Sequence, residues 1–420
     1  MNKLTTWLQS LAENHTPNFA ECVDYLGQYF PLLHQFENTE QDSDWHAEGN
    51  VAIHTEMVLQ ALYTQLESEA KHIRGVARQS LILAALLHDI AKPLTTRRKE
   101  IAGKIRLVAP KHEQIGTSYL ATRLISLPLD QQSVLTIMGL VGFHQMPKLL
   151  VLRNSDFKDY FKLSLNVDLA LLYWLEIADM KGRICPDLSV QLDFLEQFRL
   201  YAEEYQLWQM ATPALAHLAQ IQVKKNTAEQ VFLNSYATTQ LASGDISTAE
   251  EAIAKHYQAC QQYSHLYVMC GISGSGKSTW IEQNLSNFDV ISLDEIRREI
   301  NGKRLSQKNR GQVLQQAKTR LKQALAQKRD VVWDATNIRK DFRKIICDLG
   351  TSYNALITMV VFQQSEKALR TNNRHRKFAV SDEVITDQMN KLEWPWFSEA
   401  HRLLIIGEKG KELYRYGSFE

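Results

Sequence analysis

The sequence is poor in cysteine, and its few cysteines follow no recognisable pattern. The 420 residues contain five, an odd number, with no C-x-x-C pair. They are scattered along the chain at Cys22, Cys185, Cys260, Cys270 and Cys347. Such spacing excludes a disulfide framework and a zinc site built from thiolates, and it is typical of reduced thiols in a cytoplasmic protein.

Long apolar segments and net charge are also scarce. The first residues, MNKLTTWLQSLAENH, lack the apolar core of a signal peptide, and no run approaches the roughly 18–20 apolar residues of a membrane span. The charged residues nearly cancel, 48 basic against 47 acidic, so the total argues neither for nor against nucleic acid. We therefore expect a soluble, cytoplasmic protein with no membrane segment.

The length and the apolar pattern predict two domains joined by a connector. A chain of 420 residues is too long for one ordinary core. Residues 1–204 have apolar residues at spacings of three and four and no alternating strand, which predicts an all-helical domain. Residues 205–264 predict a helical connector, with a break at Ala242–Asp245 and a capping box of Ser247 and Glu250 that begins a further helix.

Residues 265–420 have a different pattern, in which short apolar runs alternate with helical segments. Strands that alternate with helices predict an α/β domain with a parallel sheet. The predicted strands are Leu266–Cys270, Val290–Leu293, Val331–Trp333 and Leu356–Phe362.

The first of these strands runs into a phosphate-binding motif, GISGSGKST, which opens a helix. Glycines let backbone N–H groups turn towards phosphate oxygens, and the helix dipole adds favourable charge. The lysine of the motif reaches the outer phosphates, and the serine supplies a ligand for Mg²⁺. The residues predicted to hold ATP are Gly271, Gly274, Gly276, Lys277, Ser278 and Thr279.

Polar residues follow the next two strands at the edge of the sheet where open α/β sheets bind ligands. Asp294 there could accept a proton from a substrate hydroxyl, and Arg297, one helical turn later, could hold a substrate phosphate. The alternative is a helix-start carboxylate beside a surface arginine. Asp334 could organise Mg²⁺, while Thr336 and Asn337 could face substrate or position the loop, unless they form an ordinary strand-end turn.

Two features point to a polyanionic substrate. Arg370 and Arg374 share one helix face near Arg376, where arginines could neutralise transferring phosphate, although a solvated basic helix is the alternative. Between Arg297 and Lys344, 15 basic residues stand against four acidic ones, an excess typical of phosphate-backbone binding but also of exposed helices.

The motifs of this domain resemble those of bacteriophage-type 5′-OH polynucleotide kinases over residues 265–415. The resemblance rests on the P-loop, Asp294-x-x-Arg297, Asp334-Ala-Thr-Asn337 and Arg370-x-x-x-Arg374. It implies that Asp294 is the general base on the 5′-OH and that Arg297 binds the adjacent phosphate of the substrate. It also implies that Arg370 and Arg374 belong to a lid over ATP.

The helical domain contains histidines and aspartates in the order H…HD…H…H…D on separate helices. Four imidazoles and two carboxylates could hold two divalent ions, with Asp89 as the bridge, and imidazole-rich sites favour transition metals such as Mn²⁺, Co²⁺ or Ni²⁺. Such ions activate water for attack on phosphorus, and Lys92 could hold a substrate phosphate. The candidate metal ligands are His54, His88, Asp89, His112, His144 and Asp179.

The segments EGNVAIHT, ALLHDIAKP, KHEQIG and ADMKGR resemble the HD domain of bacterial tRNA nucleotidyltransferases, which hydrolyse 2′,3′-cyclic phosphates. The resemblance covers roughly residues 45–185. Some HD proteins keep only the equivalents of His54, His88, Asp89 and Asp179 and hold one ion, so the extra pair, His112 and His144, argues for two here. His46 and Glu48 lie nearby in the sequence, where a loop or capping role is the simpler interpretation.

The order of the two domains resembles that of the bacterial HD-Pnk family, bifunctional enzymes that heal broken RNA ends. Membership would imply that the HD domain removes 2′,3′-cyclic or terminal 2′- or 3′-phosphates, and that the kinase domain phosphorylates 5′-OH ends of RNA, with DNA left open. An RNA ligase could then seal the ends. Three alternatives stay open: an HD nucleotidase fused to a nucleoside-type kinase, an ATP-gated HD regulator, and a non-catalytic RNA-binding protein.

Overall fold

The computed structural model describes residues 3–208, 227–254, 263–302, 309–376 and 378–419. Within it the chain divides into two compact units, Met1–Pro213 and Ala214–Glu420. The predicted fold class is confirmed, because a mainly helical unit precedes a unit with a mostly parallel sheet.

The first unit packs its helices around α4, whose residues Leu81–Leu87 are apolar on every side and fully buried. A helix that is apolar all round has no face for water and must be surrounded by others. Here α1, α3, α7 and α10 pack against it. In chain order the helices are α1 (Lys3–Ala12), α2 (Phe19–Leu26), α3 (Val51–Glu67), α4 (Gly75–Leu87), α5 (Lys92–Thr95), α6 (His112–Ala121), α7 (Gln131–Phe143), α8 (Met146–Leu152), α9 (Phe157–Ser164), α10 (Leu169–Lys181) and α11 (Leu188–Glu204), with 3₁₀ turns at Pro31–Asn38 and Leu124–Ser126.

Side-chain caps define where the helices of the metal-ligand candidates begin. Asn50 accepts a hydrogen bond from the Ile53 N–H at the start of α3, and Asp168 caps α10 in the same way. Each cap satisfies a backbone donor that the first helical turn leaves unpaired. These caps therefore fix where α3 and α10 begin.

The prediction of an all-helical first unit is wrong in one place, a β-hairpin between α5 and α6. Strand β1 (Arg97–Ile101) pairs antiparallel with β2 (Lys104–Val108) across a turn at Ala102 and Gly103, which both have positive φ. Both strands are largely exposed, so neither carries the alternation of apolar and polar residues by which half-buried strands are detected.

The second unit contains a six-stranded sheet in the order β4-β5-β3-β6-β7-β8. The strands are β3 (His265–Cys270), β4 (Asp289–Ser292), β5 (Val331–Asp334), β6 (Leu356–Phe362), β7 (Arg402–Ile406) and β8 (Glu412–Tyr416). Only the last pairing in this sheet is antiparallel, and β6, which reads LITMVVF, is buried along its whole length. The four predicted strands are present, and the parallel sheet is confirmed.

The described helices of this unit include one that precedes the sheet and six that lie between its strands. Phe232 of the first packs against Leu356 and Tyr263, so this part of the predicted connector lies against the sheet. The helices are α12 (Thr227–Ser243), α13 (Lys277–Asn284), α14 (Leu293–Asn301), α15 (Arg310–Ala326), α16 (Lys340–Ser352), α17 (Glu366–Arg374) and α18 (Asp382–Asn390).

The break predicted near the end of α12 is confirmed at Gly244, which has a φ of +78°. The predicted capping box is shifted by one residue, because Thr248 and Glu251 form it and begin a 3₁₀ turn. Cys260 and three basic residues of the predicted excess, Lys303, Arg304 and Lys308, lie outside the described residues, as does the rest of the predicted helix.

Among the described helices, none is by itself long and apolar enough to cross a membrane, and only α7 and α8 together, across a bend of 43°, meet that length and composition.

Candidate metal centre and nucleotide site

The structure brings all six predicted metal ligands of the first unit together in its interior. His54 lies one turn into α3, and Asp179 lies in the last turn of α10. The others stand at helix ends, where the chain can turn a side chain inward. None of the six is more than 9% exposed, and those at helix ends are His88, Asp89, His112 and His144.

The ligand atoms form two neighbouring sets. One set is His54, His88 and Asp179, and the other is Asp89, His112 and His144; within each, the candidate ligand atoms lie within 4.8 Å of one another. The Nε2 atom of His54 is 3.0 Å from Asp179 Oδ1, and the Nε2 atoms of His112 and His144 are 3.2 Å apart.

The outer nitrogen of each histidine fixes which ring atom faces the site. Nδ1 of His88, His112 and His144 lies 2.7–2.8 Å from the carbonyl oxygen of the residue three positions earlier. A carbonyl oxygen only accepts, so Nδ1 carries the proton and Nε2 presents a lone pair to the interior. Lone pairs that face one another at these distances repel, and a cation between them removes the repulsion. This donor set therefore suits metal ions.

Asp89 lies between the two sets. Its Oδ2 is 3.2 Å from His88 Nε2, and its Oδ1 is 3.3 Å from His112 Nε2. Both oxygens are buried and accept no hydrogen bond among the described residues, although Lys92 Nζ lies 2.7 Å from Oδ2 without hydrogen-bond geometry. A buried carboxylate in this state is costly unless a cation compensates it. Burial opposes ionisation, but neighbouring positive charge, including that of Lys92, outweighs it and holds the pKa of Asp89 well below its usual range.

Arg183 holds Asp179, a contact that the sequence interpretation did not assign. Its Nε donates to Asp179 Oδ1 at 3.0 Å, and a second guanidinium nitrogen pairs with Oδ2. Burial would raise the pKa of Asp179, but Arg183 and His54 lower it well below the usual range. Asp179 lies in the last turn of α10 and Arg183 two residues beyond the end of that helix, so the spacing of four residues was the available signal.

Glu48 and His46, expected to serve the loop, are buried beside His54. Glu48 Oε1 lies 2.7 Å from His46 Nδ1 and 3.1 Å from His54 Nδ1, and Glu48 Oε2 accepts from the Ile184 N–H. A carboxylate on the outer nitrogen of a metal-binding histidine orients the ring and raises its basicity. His46, Glu48 and His54 also form a third cluster with metal-ligand spacing.

The P-loop of the second unit connects β3 to α13, as predicted. Lys277 donates to the carbonyl oxygens of Gly271 and Ile272 at 2.8 and 3.1 Å. Burial lowers its pKa to about 8, partly offset by Asp334. Gly274 has a φ of +88°, and a Cβ atom there would lie 2.6 Å from the Leu369 carbonyl oxygen, so the loop requires glycine at this position.

Asp334 and Asp294 lie at the same edge of the sheet. Asp334 ends β5 directly opposite Ser292 at the end of β4, and Asp294 lies two residues further on. Burial raises the pKa of Asp334, opposed by the charge of Lys277. Asp294 is exposed and forms an ion pair with Arg297. Both carboxylates oppose the lowering of the Lys277 pKa by burial.

Asn337 has a structural role at this edge. It is buried, its Nδ2 donates to the Met269 carbonyl at 2.6 Å, and its Oδ1 accepts from Trp333 Nε1. Of the two roles considered for Asn337, the contacts favour positioning the loop. The neighbouring Thr336 carbonyl accepts from the Gly271 N–H at 2.9 Å, which joins this turn to the P-loop.

The three candidate lid arginines have different surroundings. Arg370 is bound to Glu366, the Asp382 carbonyl and Thr386, so it joins α17 to α18. Arg374 is 69% exposed, with Asp382 Oδ2 3.4 Å away. The charge of Arg376 adds to the lowering of the Lys277 pKa by burial and opposes the raising of the Asp334 pKa by burial. The assignments of Arg370 and Arg374 to ATP remain predictions, and Arg376 joins them as a candidate.

Comparison with known protein families assigns a class to each unit. Residues 51–161 match the HD domain, and residues 266–395 match a family described as an AAA domain. The chain thus combines a hydrolase-type HD domain with a P-loop kinase-like domain, in the predicted order. The HD match includes five of the six candidate ligands, while Asp179 lies beyond it.

No curated protein matches the chain. Among solved structures, a gluconokinase from Sinorhizobium meliloti 1021 is similar at 20% identity, over 35% of this chain and 85% of that chain, with a TM-score of 0.27. A likeness at this level carries no argument about the substrate.

Proposed function

We propose that this protein is a cytoplasmic, bifunctional enzyme that heals broken RNA ends. The HD unit would hydrolyse 2′,3′-cyclic phosphates and terminal 2′- or 3′-phosphates, and the P-loop unit would transfer the ATP γ-phosphate to 5′-OH ends. A ligase could then join the healed ends. The observation that carries the proposal is the pair of buried ligand sets bridged by Asp89, on the same chain as a complete P-loop with Asp294 at its edge.

In the HD unit, the protein supplies a rigid set of charges around the phosphate. Two divalent ions, when bound, polarise the phosphoryl group and lower the pKa of water. His54, His88 and Asp179 would hold one ion, and His112 and His144 the other, with Asp89 shared. Lys92, which donates to Gln41 Oε1 at 2.6 Å, is positioned to hold a phosphate oxygen that enters beside Asp89.

In the kinase unit, backbone N–H groups of the P-loop would cradle the phosphates of ATP, Lys277 would contact the outer ones and Ser278 would bind Mg²⁺. The RNA 5′ oxygen would attack the γ-phosphorus, the bond to ADP would break, and Asp294 would take the hydroxyl proton. Asp294 is exposed at this edge and forms an ion pair with Arg297, so a substrate hydroxyl that reaches the edge would meet its carboxylate at the surface.

One RNA oligonucleotide with a 5′-OH and a 2′,3′-cyclic phosphate tests both halves. It would be incubated with ATP, Mg²⁺ and a panel of Mn²⁺, Co²⁺ and Ni²⁺, using wild type, Lys277→Ala and Asp89→Ala. We expect Lys277→Ala to lose only 5′ phosphorylation and Asp89→Ala to lose only 3′-end hydrolysis. If wild type leaves both ends untouched but acts on mononucleotides, the polynucleotide assignment is wrong and an HD nucleotidase fused to a small-molecule kinase replaces it.

A further inference from the structure

The β-hairpin of the first unit adjoins the candidate metal centre along the chain. Strand β1 begins shortly after Lys92, and β2 ends shortly before His112, so the hairpin is inserted between residues of the site. Its outgoing segment includes Ala109, whose carbonyl accepts from His112 Nδ1 at 2.7 Å. The root of the hairpin is therefore fixed to the candidate ligands by both the chain and a hydrogen bond.

Arg106 anchors the hairpin to a second segment of the site. Its guanidinium binds both carboxylate oxygens of Asp42 at 3.1 and 2.5 Å, and Asp42 Oδ2 also accepts from the Leu107 N–H at 3.2 Å. The neighbouring residue, Gln41, accepts from Lys92. The loop that holds the hairpin thus also holds the lysine next to Asp89, which keeps the hairpin at the rim of the site.

The face of the hairpin that carries Arg106 is basic. Cross-strand register places Arg97, Lys99 and Lys104 on this face, because opposed residues of an antiparallel pair point the same way. All three are exposed, and none forms an ion pair with the described residues, whereas the acidic Glu100 lies on the opposite face. Each strand of five residues spans about 17 Å.

An aromatic pocket lies at the foot of this basic face. Its volume is about 580 Å³, within the roughly 300–1,000 Å³ of small-molecule sites. Trp45 is 44% exposed there, and the Arg106 guanidinium lies 5.9 Å from the centre of its ring. The lining residues are Ser43, Asp44, Trp45, Ala47, Arg106, Ile184, Cys185 and Pro186.

The pocket adjoins the first ligand set. The Ala47 N–H donates to the Ile184 carbonyl at 3.0 Å, and the Ile184 N–H donates to Glu48, which contacts His54. Ile184 also follows Arg183, the partner of Asp179. Two walls of the pocket are therefore continuous with residues that hold metal ligands.

We infer that the Trp45 pocket and the basic hairpin form a track for a single-stranded RNA 3′ end. The terminal base would stack on Trp45, and the preceding phosphates would contact Arg97, Lys99 and Lys104. Aromatic stacking beside exposed cations is the combination by which proteins bind single strands without reading sequence. The inference rests on the proposed function, since it names how the HD unit would recognise a polynucleotide rather than any phosphoester.

Three substrates separate this inference from the proposed function: glycerol 1,2-cyclic phosphate, a 2′,3′-cyclic mononucleotide, and a 5′-phosphorylated single-stranded RNA with a 2′,3′-cyclic end. The first has the reacting group without a base, the second adds the base, and the third adds the backbone. The variants are Trp45→Ala, with Trp45→Phe as the conservative change, and Arg97→Ser combined with Lys99→Ser. The control combines Lys71→Ser with Arg153→Ser, which removes the same charges from exposed positions elsewhere on this unit.

The hairpin variant is expected to lower kcat/KM about tenfold on RNA alone, and to reduce the slope of log kcat/KM against log salt by about two, one for each removed cation. Trp45→Ala is expected to raise KM about five- to a hundredfold for RNA and mononucleotide but not for the glycerol ester. Trp45→Phe should recover most of that loss, and the control should match wild type.

The inference is overturned if the hairpin variant and the control have equal RNA kinetics and salt slopes, or if Trp45→Ala affects the base-free ester as much as the others. Anisotropy of the same RNA, labelled, gives a second measurement that does not need turnover. Equal affinity of wild type and both variants would also overturn the track. If wild type hydrolyses none of the three esters while RNA binding depends on the hairpin, the proposed function fails and the RNA track stands.

Discussion

Replacement of Asp89 by Asn should remove metal from both ligand sets, because Asp89 is the residue between them. Its two oxygens lie 3.2 Å from His88 Nε2 and 3.3 Å from His112 Nε2. Asparagine has the same shape but offers one neutral oxygen, so it cannot bridge two cations with shared negative charge. By contrast, His144→Gln removes a ligand from one set only. We expect two ions per chain for wild type, one for His144→Gln and none held tightly by Asp89→Asn.

The size of the effect follows from linkage between metal binding and folding. Each ion at about 100 times its dissociation constant stabilises the folded state by about 2.7 kcal/mol, so two ions contribute about 5.4 kcal/mol. For a unit of this size, each kcal/mol corresponds to about 2–4 °C in Tm, so the two ions should raise the Tm of wild type by about 10–20 °C. That gain should nearly vanish in Asp89→Asn, whatever the change in Tm of the metal-free protein.

The assay compares thermal unfolding in chelator with unfolding in Mn²⁺, alongside metal content after desalting. Asp168→Asn is the matched control, because Asp168 is exposed and caps α10, and asparagine caps a helix equally well. It should keep the full gain in Tm and both ions. The bridging role is refuted if Asp89→Asn retains two ions and the wild-type gain.

Three further outcomes are expected. Burial lowers the pKa of Lys277 to about 8, and a bound phosphate raises it again, so ATP binding should take up a proton and weaken about tenfold from pH 7 to pH 9. Calorimetry in two buffers measures the proton uptake and the affinity. The same pH dependence in Lys277→Arg would contradict this prediction. Burial lowers the pKa of His401 to about 4, so the free energy of unfolding is unaffected by this residue above about pH 6.5 and falls by about 3 kcal/mol as the pH drops towards 4. Urea unfolding of the His401→Asn variant should lack this loss. A pH profile equal to that of wild type would contradict the prediction. Glu48→Gln should weaken metal binding about tenfold or more, because the amide does not orient the His54 ring and raise its basicity as the carboxylate does. Competition with a chelating dye measures the affinity. A wild-type affinity in this variant would show that Glu48 does not support the site.

Much of the fold was predictable, because its elements have regular periods. The apolar run before His88 predicts a buried helix, and the apolar run before Gly271 predicts a strand. In each case the residues that follow the run indicate the type of site at the end of the element. The hairpin that begins at Arg97 was not predictable in this way. Its strands face water on both sides, so they lack the alternation of apolar and polar residues by which half-buried strands are recognised. Its signal was the Ala102-Gly103 turn, which requires positive φ at both residues and is weak without asparagine or aspartate.

The order of residue types in the sequence predicts the ligand candidates. It does not predict the residues that contact them, because those contacts depend on how the chain brings distant segments together. Glu48 meets His54 because the chain turns between them, and the N–H of Ile184, far along the chain, fixes the carboxylate. Nothing in the local sequence distinguishes this contact from the loop role expected for Glu48. Arg183 was closer to prediction, since it follows Asp179 by four residues just past the end of α10, where the two side chains form an ion pair.

The position of the histidines at helix ends explains why the buried apolar helix α4 is followed directly by His88 and Asp89. The last carbonyls of a helix have no partner within it, so a side chain placed there can donate to one. His88 donates Nδ1–H to Ala85 and His144 donates to Val141, each three residues back. The same bond that satisfies a carbonyl at the helix end fixes the tautomer and points Nε2 into the core. Each helix therefore determines where its ligand lies, and the packing of α4 against α7 determines how far apart the two ligand sets stand.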